Sequence, residues 1–121
     1  MIPVINQTRT QTIEPGITIF SIAGRLSLGY SLQSIEVAIK KLIDAGARKL
    51  VVDLTELTYI DSAGVGMLVG TNGHMEEAGG TMRVCGAQGT VAKSFAVVHL
   101  DRILPLDPDV DSATRTMAAG A

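Results

Sequence analysis

Apolar and polar residues alternate over residues 3–10 and again over 17–23, and both stretches are rich in Ile and Thr. A period of two turns one face of an extended chain toward a core, so each stretch predicts a β-strand. Glu14-Pro15-Gly16 between them is turn chemistry and predicts an antiparallel hairpin. After a loop expected over Gly24–Ser31, the period changes. Leu32, Ile35, Ile39, Leu42 and Ile43 follow the spacing of a helix with one buried stripe, with Ser31 as the expected cap and Gly46 as the stop. Lys49–Leu54, "KLVVDL", is a short, mostly apolar run, as expected of a central strand covered by helices.

The next helix is predicted from about Ser62 to Gly79-Gly80, with Val65, Leu68, Val69 and Met75 inside and Asn72, Glu76 and Glu77 largely outside. "TMRVC" is a further strand, and residues 88–98 give a helix carrying Val91, Phe95 and Val98 at helical spacing. "ILPL" is a short last strand that Pro105 marks as an edge. Asp107-Pro108 is expected to cap and open a final helix, short and poor in apolar residues, whose body is expected to fray. The order β-β-α-β-α-β-α-β-(α) implies the α/β class: one domain over residues 1–121, with a mixed sheet, a parallel core and packed helices.

Composition narrows what such a domain does. Hydrophobic residues make up 46% but aromatics only 3%, so the core is aliphatic and a base-stacking surface is not expected. Ten basic residues against twelve acidic ones leave a net charge of -2, without the basic footprint of a nucleic-acid binder. A single cysteine, Cys85, excludes an internal disulfide and fits a reducing compartment. With no charged-then-apolar leader and no apolar run long enough for a bilayer, the expectation is a soluble, cytoplasmic domain without membrane insertion. No cluster of His, Cys and acids has metal-ligand spacing, and no metal or cofactor is expected.

The chemistry concentrates in "YIDSAGVG", Tyr59–Gly66, where strand gives way to helix. Ser62 and Asp61 are both good helix caps. Gly64 and Gly66 each cost about 1 kcal/mol relative to alanine inside a helix, which implies that something approaches the backbone closely there. A dinucleotide site built on Gly64, Gly66 and Gly70 is disfavoured, because these glycines follow the strand too late and no acid ends the next strand. A hydrolase is disfavoured because Ile60 replaces the first glycine of a nucleophile elbow, and His74 and His99 are poorly placed as bases. A phosphorylation switch fits: a phosphate on Ser62 would meet the positive end of a helix dipole, while Asp61 beside it makes the patch repel an acidic partner.

"LVVDLTELTYIDSAGVGMLVG", Leu50–Gly70, resembles the core signature of STAS domains, in particular the bacterial anti-sigma factor antagonists. "GRLSL" and "GAQGTVAKSFAVVHLDRILPL" resemble the flanking loop, helix and last strand of that family, in the same order. The resemblance implies a non-enzymatic regulator in transcription. Ser62 would be the serine phosphorylated by a partner that is both anti-sigma factor and serine kinase. Asp61 would belong to the docking surface, Gly64, Val65 and Met67 would meet the kinase, and Asp53 matches the acid ending the central strand. The unphosphorylated form would capture the anti-sigma factor and free a sigma factor; phosphorylation would end the capture and a serine phosphatase would reset it. Ser27 stands where many relatives carry an acid that faces the kinase. The alternative is an unphosphorylated scaffold subunit of a transport or stress-sensing complex, and the chain is expected to be a monomer or weak homodimer.

Overall fold

The computed structural model describes residues 6–120, so residues 3–5 of the first predicted strand lie outside the described residues. Strand β1 (Asn6–Ile13) pairs antiparallel with β2 (Ile17–Leu26), forming the expected hairpin. Helix α1 (Tyr30–Asp44) follows, then β3 (Lys49–Asp53), β4 (Leu57–Ile60), α2 (Ser62–Glu77) and β5 (Thr81–Cys85). The chain continues through α3 (Gly89–Val97), a 3-10 turn (Leu100–Arg102), β6 (Leu106–Asp107) and α4 (Val110–Ala118). The sheet order is β1-β2-β3-β5-β6, parallel from β2 onward. No helix among the described residues is long and apolar enough to cross a membrane.

One face of the sheet carries Phe20, Ile22, Leu50, Val52, Met82 and Val84 beneath α1, α2 and α3. The other face is smaller, with Ile17, Ile19, Val51 and Cys85 under α4. The final helix was expected to fray, yet Ala113 and Met117 are fully buried on that second face. Val110, Ala113 and Met117 suffice because the patch they cover is small, and burying the methionine alone is worth about 2 kcal/mol. Its cap is Asp109, which accepts from the Ser112 N–H at 2.8 Å, two residues later than the expected cap at Asp107. Asp107 instead takes a two-point salt bridge from Arg83, with Nε–Oδ2 at 2.6 Å.

Other corrections bear on the site. The region expected to be loop from Gly24 is still β2 as far as Leu26. There β2 leaves β3 and pairs with β4 instead, through a register shift at Gly24/Arg25 that the positive φ of Gly24, 93°, accommodates. The cap position of α1 is Gly29, without a side-chain cap bond, and Ser31 lies inside the helix. Val98 stands outside the core, 48% exposed, just past the end of α3. The last strand is Leu106–Asp107 at the sheet edge, and the apolar residues before it are divided between the 3-10 turn and a loop.

Candidate functional site

The bend in β2 carries Leu26 to the start of α2. The Leu26 carbonyl accepts the Asp61 N–H at 3.3 Å, and it also lies directly over Gly64. A Cβ on Gly64 would stand 2.4 Å from that oxygen and 2.7 Å from Cγ1 of Ile60. The close approach implied by the glycines is therefore real at Gly64, and the visitor is the protein's own β2. Gly66 and Gly70 have open space where a side chain would go.

Asp61, with extended backbone, is the N-cap of α2; the expectation left this role open between Asp61 and Ser62. Its Oδ1 accepts from the Gly64 N–H at 2.9 Å, and Oδ2 accepts from the Leu28 N–H at 2.9 Å. One carboxylate thus satisfies a helix-terminal donor and ties down the loop before α1. The Leu28 N–H is the main cause holding the Asp61 carboxyl below its ordinary value; partial desolvation opposes it, and the Gly64 and Ala63 N–H groups add to the lowering.

A group with a depressed folded-state pKa adds stability above its unfolded pKa and loses it as pH falls through the folded value. Asp61→Ala is expected to lose about 1 kcal/mol at neutral pH, through the lost helix cap and the lost tie to the exposed Leu28 amide. Denaturant titrations at a series of pH values should show the gap to the parent closing on the acid side of the ordinary carboxyl value, 3.8. A gap of constant size down to strongly acid pH would contradict the assignment.

Ser62 is the first residue of α2 and is exposed. Its hydroxyl has no hydrogen-bond partner among the described residues. Beside it opens an apolar cleft of about 300 Å³ between the start of α2 and the end of α3, lined by Ile60, Val65, Val97 and Val98 together with Asp61 and Ser62. Val97 is 78% exposed, and Leu28, tethered to Asp61, is 80% exposed. Sequence reasoning missed these two apolar residues, and placed Val98 on the buried stripe of its helix. The available signal was Val97, an apolar residue off the Val91–Phe95 stripe of its helix.

The structure brings Asp61, Ser62, Val65 and the loop holding the half-buried Ser27 together. Gly64 is buried and acts through packing. Met67, expected to meet a partner, is instead a core residue, 5% exposed. Asp53 is occupied at the end of β3, where it accepts from Ser21 Oγ at 3.2 Å and from the Thr55 N–H at 3.0 Å.

Nucleophile chemistry finds little support. His74 lies about 18 Å along α2 from Ser62 at 1.5 Å per residue. Burial, with Asp53, Asp107 and Asp109 nearby, pushes the Cys85 thiol up to about 12. Among the described residues no group of three His, Cys, Asp or Glu side chains is placed to hold a metal.

A family model described as "STAS domain" matches residues 9–113. An anti-sigma factor antagonist from Mycobacterium paratuberculosis has a similar structure, with a TM-score of 0.82, 23% identity and 92% of each chain covered. The Bacillus cell fate determinant SpoIIAA in its phosphorylated form superposes with a TM-score of 0.70 at 20% identity, over 92% of this chain and 99% of that one. A murine solute carrier 26 family anion transporter also contains the fold, with a TM-score of 0.70 at 15% identity, over 96% of this chain and 22% of the transporter.

Proposed function

The chain belongs to the STAS domain family, and from that premise we propose that it is an anti-sigma factor antagonist switched by phosphorylation of Ser62. The observation that carries this reading is an exposed serine hydroxyl, without a partner among the described residues, on the first turn of α2 between a fixed carboxylate and an open apolar cleft. The cleft and the exposed Val97 and Val98 supply apolar surface for a protein partner to bury. The hydroxyl supplies an acceptor that this partner's kinase activity modifies. The chain itself needs no catalytic group.

In the unphosphorylated state the surface binds an anti-sigma factor with serine kinase activity, which releases a sigma factor. Phosphoryl transfer from ATP forms an Oγ–P bond on Ser62 as ADP leaves and the hydroxyl proton passes to the kinase or to solvent; the resulting dianion lies beside Asp61, and the partner's burying surface no longer fits. A serine phosphatase restores the hydroxyl. A relative solved in phosphorylated form supports this use of the fold.

The likeness to a transporter domain favours a second reading, an unphosphorylated scaffold within a larger complex. Intact-mass measurement separates the two. After incubation with ATP and an anti-sigma factor serine kinase, the parent chain should gain one phosphoryl group and Ser62→Ala none. A parent chain left unmodified by a kinase that is active on its own control substrate would favour the scaffold.

A further inference from the structure

Among the described residues strand β1 ends the sheet, with β2 as its only sheet neighbour. Their pairing runs without a bulge from Asn6↔Gly24 to Ile13↔Ile17. The outer margin of β1 is therefore a straight row of backbone N–H and C=O groups with no described strand beside it, roughly 27 Å long at about 3.4 Å per residue. The opposite edge is built differently: β6 has two residues and follows Pro105. Edges that avoid pairing use short length, proline, bulges, charge or a covering segment. Over its described length β1 has only Arg9 among these devices. Thr8, Arg9, Thr10, Gln11 and Thr12 are all exposed, so no described helix or loop covers the strand on either face.

We propose that β1 is a homodimerisation edge, at which two copies of the chain pair antiparallel about a two-fold axis through Thr10. Directly opposed residues of an antiparallel pair point to the same face, so only registers centred on a residue keep the two sheets continuous. A register centred on Arg9 would oppose two guanidinium groups, which is unfavourable. Centres at Thr8 or Gln11 leave much of each strand unpaired. Centring on Thr10 opposes Thr10 to itself, Thr8 to Thr12 and Arg9 to Gln11. Threonine then forms one polar ladder, and arginine with glutamine forms the other, without like charges in contact. The pairing uses nothing at Ser62 and stands independently of the proposed switch.

The only native thiol is buried, so an engineered cysteine on β1 reports cleanly. Opposed Cα atoms in such a ladder lie about 4.5–5.5 Å apart, within the disulfide range of about 4.4–6.8 Å. Under mild oxidation Thr10→Cys should form a covalent dimer about tenfold faster than Gln11→Cys, whose thiols would sit two residues out of register. The parent should sediment as a reversible monomer–dimer. Thr10→Lys, which opposes two ammonium groups on the axis, should sediment as a monomer and melt at the parent's temperature when both are diluted below the parent's dimerisation range. A parent that stays monomeric up to its solubility limit, equal cross-linking of the two cysteine variants, or a Thr10→Lys chain that still dimerises would each overturn the proposal.

Discussion

Gly64→Ala is expected to lower stability by about 3 kcal/mol and the melting temperature by roughly 10 °C. The added methyl would meet the Leu26 carbonyl oxygen at 2.4 Å, and that oxygen is backbone, already bonded to the Asp61 N–H. It cannot rotate away as a side-chain end would. Either α2 lifts from β2, breaking the Asp61 contacts that order the site, or β2 loses its pairing with β4. Gly66→Ala is the matched control. It adds the same methyl to the same helix with nothing within 4 Å, and should raise stability by up to about 1 kcal/mol through helix propensity. Thermal and denaturant melts of the two variants test this directly. Equal effects of the same sign would mean that α2 does not press on β2.

Ser62→Asp is expected to weaken binding of the anti-sigma partner about a hundredfold while moving the melting temperature very little. The first half follows from charge: one added anion about 5 Å from an opposing acid, at an effective dielectric near 20, costs about 3 kcal/mol. The second half follows from position. Ser62 is exposed at the amino end of α2, where the helix dipole favours negative charge. Asp61 already takes the Gly64 N–H, so the new charge is stabilised by the dipole and by solvent rather than by that donor. Ser62→Ala should leave both quantities near the parent's. Calorimetric titration with the partner, beside a thermal melt, reads both halves. A collapse in melting temperature, or undiminished affinity, would remove the switch.

Much of this was legible in the chain because its patterns were local. The hairpin, α1, β3, the limits of α2 and the parallel order all follow from apolar period and turn residues. The failures share a physical origin. The buried stripe of α2 runs through Gly64, Met67, Leu68, Thr71 and Met75. Two of these are not hydrophobic, so period alone pointed to Val65 and Val69 and left Met67 outside. Thr71 belongs in the core because its hydroxyl donates to the Met67 carbonyl at 2.9 Å. Strand β4 was passed over because Thr58 and Tyr59 are both exposed, which erases alternation, and the strand exists only by pairing with the bent end of β2. The tie from Asp61 to Leu28 spans a sequence separation that no local pattern encodes. At the site, the serine, its acidic neighbour and the glycine were readable; the apolar cleft, assembled from α2 and α3, was not.

Helix α4 is the cover over Cys85, and that thiol is the chain's only one. Under native conditions, where global unfolding is rare, an alkylating reagent reaches the sulfur when that cover lifts. The labelling rate in native buffer therefore counts the excursions of a single helix, separately from global unfolding, and the molecule carries its own gauge of how firmly its last turns are latched.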